Sequence, residues 1–165
     1  MRVSWTTKKN LVPKMEKAAS DLDGRSVQAG VFGEQAWLAG IHEYGCKIKV
    51  TDKMRAYLHR QGLHLKDSTE YITIPERAFL RTGYDEGRAA IVQGAEDLLP
   101  FVLSGDYSSD QFLAQVGQFM ASHIKDYATA LSSPSNHPFT VEQKGSSNPL
   151  VDTGDLIGSI SYEVQ

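Results

Sequence analysis

The segment that most constrains the fold is the C-terminal stretch 149–164, which reads Pro-Leu-Val-Asp-Thr-Gly-Asp-Leu-Ile-Gly-Ser-Ile-Ser-Tyr-Glu-Val. Apolar and polar residues alternate over 160–164, and this period of two is typical of a half-buried strand. Before the strand, Asp152 or Thr153 is predicted to cap a helical turn, because a short side-chain oxygen can accept a hydrogen bond from an amide two or three residues later. The chain is therefore expected to end in a capped turn and a strand.

The tripeptide Asp152-Thr153-Gly154 also has the form in which aspartic proteases present a catalytic carboxylate. That chemistry needs two carboxylates that share one proton, together with a substrate cleft. Only eleven residues follow Gly154, and Asp155 stands where the protease pattern has a small residue. The turn is therefore interpreted as backbone structure, and Asp152→Asn is expected to cost about 0.5–2 kcal/mol of stability through a lost cap.

Charge is distributed unevenly along the chain. Residues 46–73 carry a net charge of +3 and residues 74–165 a net charge of −7. Two explanations are open: solvated faces, or complementary patches that meet between subunits. The acidic half argues against wrapping of nucleic acid, because affinity for phosphates comes from clustered Lys and Arg.

Size and composition fit one globular domain over residues 1–165, with 41% apolar and 22% charged residues. The longest apolar run near the middle, 98–103, is far below the roughly 20 residues that cross a bilayer, so no membrane contact is expected. The single cysteine, Cys46, excludes an internal disulfide and fits assembly in a reducing cytoplasm.

The first half of the chain predicts short elements. A helix after Asn10 should end at Asp23-Gly24, and a strand should follow at 27–31. A second helix, at about 34–44, should end at Gly45, and it is expected to bury three apolar side chains: Trp37, Leu38 and Ile41. Residues 46–74 read as strand, helix and strand, with Thr51 as the helix cap, and predict a hairpin that projects from the core with its basic residues exposed.

Two long helices are predicted next. The first opens at Arg77, and Pro100 should kink or end it near its last turn. Its small residues Gly83, Gly87, Ala90 and Gly94 share one face, which suggests close approach of a sheet or another helix. Ser108 or Ser109 should cap the second helix, which continues to about residue 131. The whole pattern predicts an α+β fold in which two long helices pack on a small mixed or antiparallel sheet.

Residues 132–148 differ in composition from the rest of the chain, with two prolines, five serines and few apolar groups over 132–140 and 143–148. This composition predicts an extended arm rather than packed structure. Because the arm leaves the domain and returns as a strand, it could reach a neighbouring subunit.

Motifs for common catalytic chemistry are missing from the sequence. The five histidines lack metal-ligand spacing with one another or with Cys46. The pair His42-Glu43 has no second histidine four residues on, and neither a phosphate-binding loop nor a Gly-x-Ser-x-Gly elbow occurs. We therefore expect a protein that is not an enzyme, without metal or cofactor.

Four motifs nevertheless occur together in one order. They are Ile41-His42-Glu43-Tyr44-Gly45, the stretch 48–55 with 62–66, the segment Ile-Pro-Glu-Arg-Ala-Phe-Leu-Arg at 74–81, and the C-terminal stretch 149–164. In this order they resemble the tail-completion, or neck, proteins of long-tailed bacteriophages, and the match covers most of residues 27–164.

The resemblance implies a structural virion protein that forms a ring, commonly of six copies, where the tail tube meets the head connector. Its partners would be the head-closure or connector protein and the tail terminator or tail-tube protein, with viral DNA passing through the lumen. The protein would be assembled in the host cytoplasm. The structural or interface candidates are Pro75, Arg77, Phe79, Arg81, Asp152, Thr153 and Gly154. Arg77 or Arg81 would anchor nearby carboxylates or form a local salt bridge at the helix end.

Two other functions are open at this point. A tail terminator or a minor tail-tube component shares the ring geometry and size, and position along the particle axis separates it from a neck protein. A nucleic-acid-binding module that uses residues 47–66 would instead show steeply salt-dependent binding to duplex DNA.

Overall fold

The computed structural model describes residues 10–165. Within this part of the chain the helices are α1 (Val12–Leu22), α2 (Ala36–Tyr44), α3 (Asp52–Arg60), α4 (Phe79–Ser104), α5 (Ser109–Ala130), α6 (Pro138–Lys144) and α7 (Asp155–Gly158). The strands are β1 (Val27–Val31), β2 (Cys46–Lys49), β3 (Tyr71–Ile74) and β4 (Ile160–Val164), and a 3-10 turn, Gly33–Gln35, precedes α2. The predicted α+β class is confirmed.

The core sheet has two antiparallel strands, β1 and β4, in a register that pairs Val27 with Val164 and Val31 with Ile160. Helix α5 packs on this sheet so closely that a Cβ atom added to Gly117 would lie 2.3 Å from the ring of Tyr162. The final strand predicted from alternation is therefore present, and it closes the domain against the first strand.

Helices α4 and α5 pack against each other along the face that the glycines of α4 provide, whereas Ala90, predicted to share this face, is exposed. A Cβ added at Gly87 would lie 2.6 Å from His123, and one added at Gly94 would lie 2.7 Å from the ring of Phe119. Gly83 approaches the backbone of Ile124 at 3.0 Å by the same measure. The predicted close approach is thus to another helix, and only glycine leaves room for it.

The ends of the long helices differ in part from the sequence prediction. α4 begins at Phe79 rather than Arg77, and it runs through Pro100 to Ser104. Pro100 has no amide to donate to the carbonyl of Glu96, so one helical bond is lost, and the helix continues for only four more residues. For α5, Ser108 and Gln111 form a capping box, as the sequence predicted for Ser108.

The prediction that α2 buries Trp37 is wrong, because 76% of that side chain is exposed. Ala39 and Glu43 are the buried residues of this helix. They lie four residues apart on the face toward α4, and Trp37 lies about 200° around the helix from Ala39 at 100° per residue.

The segment 46–74 is a hairpin that forms its own two-stranded sheet, β2 with β3, as the sequence predicted. The side chain of Thr51 caps α3 by accepting from the amide of Met54 at 3.2 Å. The guanidinium of Arg55 donates to the carbonyls of Leu65, Lys66 and Thr69. Arg55 therefore holds the loop between α3 and β3 and is occupied within the hairpin.

The arm predicted for 132–148 is not extended throughout, because it contains α6. Pro138 stands in the first turn, the ring of His137 accepts from the amide of Phe139 at 3.2 Å, and Gly145 ends the helix with φ +68°. These are ordinary helix-end signals, but seven residues are too few to show a helical period. Over residues 10–165, no helix has the length and apolar character that a membrane crossing requires.

Candidate functional site

Glu43, at the end of α2, is a buried carboxylate that holds the start of α4. Its Oε2 accepts from the amide of Leu80 at 2.8 Å, and its Oε1 accepts from the amide of Arg81 at 3.3 Å. The Arg81 guanidinium donates to the same Oε1 at 3.0 Å. Only 4% of Glu43 is exposed. A negative group at this position satisfies amides that have no partner within the helix and complements the helix dipole.

The side chain of the N-cap residue of α4 cannot accept hydrogen bonds from these amides. Ala78 has φ +51° and ψ +33°, in the left-handed region, and its methyl group offers no hydrogen-bond acceptor. The backbone of α2 holds this turn in addition, since the amides of Arg77 and Ala78 donate to the carbonyls of His42 and Glu43 at 2.8 and 3.2 Å. The cap of α4 therefore comes from Glu43, which lies 37 positions before Leu80 in the chain.

Arg77 is a buried cation whose side-chain acceptors are all neutral. Its Nη2 donates to Oδ1 of Asn136 at 2.8 Å, and its Nε donates to the carbonyl of Pro134 at 3.2 Å. Its Nη1 lies 2.8 Å from Nδ1 of His42. Because an arginine can only donate, Nδ1 of His42 must be the acceptor. Arg77 therefore ties the hairpin exit to α2 and to the segment that follows α5.

The protonation state of His42 fits this arrangement. Burial, then the charges of Arg77 and Lys144, lower the pKa of His42 from 6.5 to about 4. The ring is thus neutral at neutral pH and keeps a lone pair for Arg77. Protonation would place a second cation against the guanidinium and remove that acceptor.

Arg81, rather than Arg77, forms ion pairs with carboxylates. Arg81 forms ion pairs with Glu43 and Glu76, and its guanidinium also lies 5.6 Å from the centre of the Tyr44 ring. Within residues 10–165, Arg77 makes no ion pair with a carboxylate. The interpretation that either arginine could anchor carboxylates therefore holds for Arg81 alone.

Gly45 brings the end of α2 into contact with the hairpin exit. It has φ +69°, and an added Cβ would lie 2.7 Å from the amide nitrogen of Glu76 and 2.9 Å from the carbonyl oxygen of Ile74. Neither atom can move without shifting the backbone of β3 or of the turn after it. A residue other than glycine would force α2 and the hairpin apart.

The C-terminal segment reaches the same junction through Asn148 and the residues after it. Nδ2 of Asn148 donates to the carbonyl of Thr129 at 2.8 Å, and its Oδ1 accepts from the amide of Leu150 at 2.7 Å. Pro149 and Leu150 are buried behind it. Asn148 thus fixes where the segment leaves α5 and begins the last turn.

The cap predicted at Asp152 or Thr153 is not formed as expected. Gly154 is the N-cap residue of α7, with φ +93° and no side chain. The Thr153 hydroxyl donates to Oδ2 of Asp155 at 2.6 Å and accepts only a long bond, 3.4 Å, from the Asp155 amide. Asp152 is exposed and makes no side-chain hydrogen bond within the described residues. Its expected contribution to stability is therefore withdrawn.

A groove of about 490 Å³ lies where these segments meet. It is lined by five of the seven candidate residues: Pro75, Arg77, Asp152, Thr153 and Gly154. The other two lie elsewhere, with Phe79 fully buried in the core and Arg81 paired to Glu43. Burial lowers the pKa of Lys144, another lining residue, although nearby Asp152 opposes the shift.

The junction comprises residues 41–45, 74–81, 134–136 and 148–156, and its polar side chains mainly bind one another or the backbone. Groups of three or more metal-ligating side chains do not occur in the part of the chain described by the structure. Sequence reasoning missed the roles of Glu43, His42 and Asn136 in this junction. The motif Ile41–Gly45 marked the first two, but their partners lie more than thirty positions away.

Comparisons with known proteins add no relative. A scan against known protein families matched none, and searches of curated proteins and of solved structures also found no match.

Proposed function

We propose that this chain is a structural protein of a long-tailed phage, forming a ring at the junction between head and tail. In this role its polar residues organise backbone and subunit contacts and do not carry out catalysis. The ring would be a homohexamer. It would contact the head-closure or connector protein on one side and the tail terminator or tail tube on the other.

The observation that carries the proposal is the junction itself. Two of the motifs on which the resemblance rests, 41–45 and 74–81, lie together there with the first part, 149–156, of the C-terminal motif 149–164, although the sequence separates them widely. Their contacts, such as Glu43 on the α4 amides and Arg77 on Pro134 and Asn136, fix one backbone segment against another. Such contacts suit a scaffold that must hold a projecting hairpin in a set direction.

The charge distribution supports passage of DNA without binding. The net charge of −7 over residues 74–165 would line the lumen with carboxylates, so that the duplex moves through without adhering. A ring reconstruction whose lumen is dominated by Lys and Arg would contradict this part of the proposal.

Interruption of the gene in the phage genome tests the proposed position. A neck protein predicts lysates with filled heads and separate tails of normal length under the electron microscope. Purified protein added to such a lysate should restore joined particles. Tails of abnormal length would instead indicate the tail terminator, and joined, infective particles would overturn the proposal.

One observation bears on the alternative of a nucleic-acid-binding module. The side chains of Lys47, Lys49 and Tyr71 are exposed on the hairpin, which is the combination that nucleic-acid surfaces use. Arg55, however, is occupied by three carbonyls of the hairpin. A gel shift at low salt distinguishes the two functions, since a neck protein should not retain duplex DNA.

A further inference from the structure

Two faces of opposite charge are exposed on this chain, and their charged groups form no ion pair within residues 10–165. In this part of the chain, the one side-chain hydrogen bond to their carboxylates comes from Nε2 of Gln93, which donates to Asp97 at 2.9 Å. The first, which we call the hairpin basic face, consists of Lys47, Lys49, Tyr71 and Thr73. The register of β2 with β3 pairs Lys47 with Thr73 and Lys49 with Tyr71, so all four side chains lie on one side of the ribbon. All four are exposed, and 52% of Tyr71 is accessible.

The second, which we call the α4 outer face, consists of Asp85, Glu86, Val92, Glu96, Asp97 and Leu99. Asp85, Val92, Glu96 and Leu99 follow one another at steps of seven, four and three, which places them along one side of the helix. Glu86 and Asp97 each follow a carboxylate of this row and lie about 100° further around the helix. The exposed cation Arg88 lies between Asp85 and Val92, three residues after the first and four before the second. All six residues are exposed. The opposite side of α4 carries Gly83, Gly87 and Gly94 and is covered by α5.

The two faces do not meet within one copy. The hairpin joins α4 through residues 75–78, whereas Glu96 lies 17 residues beyond Phe79, which is about 25 Å along the helix. Ion pairs in residues 10–165 involve Arg25 with Asp110, and Arg81 with Glu43 and Glu76. The lysines of the one face and the carboxylates of the other are therefore available to another molecule.

The chemistry of the two faces favours a second copy of this chain as the occupant. One face offers two ammonium groups beside an aromatic ring. The other offers four carboxylates against one guanidinium, that of Arg88, with two aliphatic side chains along one edge. A contact between unlike faces is heterologous, so each copy uses both faces and the chain of contacts closes into a ring if the rotation allows. Complementary charges of this kind set orientation and exclude wrong partners.

We propose that the hairpin basic face of one copy docks on the α4 outer face of the next copy. This inference rests on the proposed ring and adds which surfaces form it. Exposed charges are screened by salt, so self-association of the purified chain should weaken as ionic strength rises.

Charge reversal tests the contact with three full-length variants. The first is Lys47→Glu/Lys49→Glu, the second is Glu96→Lys/Asp97→Lys, and the third combines all four exchanges and keeps the net charge of the natural chain. Each is measured at low ionic strength by sedimentation velocity, after circular dichroism has shown that the fold is retained. Glu16→Lys/Asp21→Lys on α1, where both residues are exposed, is the matched control for the second variant.

The expected result is that the first and second variants lose self-association, while the control and the fourfold variant associate like the natural chain. An equimolar mixture of the first two should also associate, because each reversed face then meets its reversed counterpart in an alternating ring. A zero-length carboxyl-to-amine cross-linker, applied to mixed labelled and unlabelled chain, should join Lys47 or Lys49 to Glu96 or Asp97 of another molecule.

Three results would overturn the contact. They are a natural chain that stays monomeric and uncross-linked at its highest soluble concentration, reversed variants that associate undiminished, and a mixture that fails to associate. None of these outcomes would refute the proposal that the chain is a neck protein. Its absence from the virion, in contrast, would refute the proposed function and leave this contact measurable.

Discussion

Replacing Glu43 by alanine should destabilise the protein far more than replacing any exposed carboxylate. The change removes the acceptor for two amides in the first turn of α4, those of Leu80 and Arg81, at a place where Glu43 is 4% exposed. A buried donor left without a partner costs about 1–3 kcal/mol. Arg81 adds less, because 45% of its side chain is exposed and water can replace the lost ion pair.

The sum of these effects predicts that Glu43→Ala lowers the free energy of unfolding by about 2–4 kcal/mol. The loss is no larger because the variant no longer has to bury a desolvated carboxylate. For a chain of this size, about 2–4 °C of melting temperature is lost per kcal/mol, so the midpoint should fall by roughly 5–15 °C. Urea unfolding followed by circular dichroism gives the free energy of unfolding directly.

Two further exchanges make the test specific. Glu43→Gln keeps one oxygen acceptor and should cost about half as much as Glu43→Ala. Glu76→Ala removes the other, 56% exposed, partner of Arg81 and should cost less than about 1 kcal/mol. If Glu43→Ala proves no more destabilising than Glu76→Ala, the view that Glu43 caps α4 is refuted.

Three other perturbations follow from the same junction. Because unfolded His42 takes up a proton near pH 6.5 and the folded form only near pH 4, acid favours unfolding in this window. The melting temperature of the natural chain should therefore fall from pH 6.5 to 4, whereas His42→Asn, which keeps an acceptor for Arg77, should lack this part of the decline. Ala78→Gly should stabilise the protein by about 0.5–1 kcal/mol, because glycine adopts the left-handed conformation of this position without strain. Ala89→Gly, at an exposed position within α4, should instead destabilise the protein by about 1 kcal/mol. Urea unfolding measures both changes. Asp152→Asn should change the free energy of unfolding by less than about 0.5 kcal/mol, because its side chain makes no cap, and a loss near 2 kcal/mol would restore the capping interpretation.

Sequence patterns predicted the elements whose signals are local. The period of two identified β1 and β4, and Ser108 or Ser109 marked the start of α5, where the structure forms a capping box between Ser108 and Gln111. The glycines of α4 predicted a close packing face, because their spacing of three and four residues is visible without knowledge of the partner. Only the fold showed that this partner is α5.

The junction could not be predicted in the same way, because its contacts join distant positions. Glu43 binds amides 37 and 38 residues later, and Arg77 binds groups 57 and 59 residues later. Short motifs marked the residues that take part but not which residue each one binds. Helix α6 was missed for a different reason, since a Pro- and Ser-rich composition outweighed its end signals.

The exposure of Trp37 illustrates a further limit of pattern reading. An aromatic residue in a short helix is normally assigned to the core, but α2 buries the carboxylate of Glu43 on its inner face instead. Because Glu43 caps α4, the side of α2 that carries Glu43 faces inward. Tyr44, seven residues after Trp37 and 73% exposed, lies on the same outer side of α2.

The most direct test of the central claim is a reconstruction of the intact phage neck by electron cryomicroscopy. The account predicts a ring of this chain between the head connector and the tail tube, with each copy's hairpin resting on the α4 helix of its neighbour. Density for the neck that is accounted for by other chains, in particles that lack this polypeptide by mass spectrometry, would contradict it.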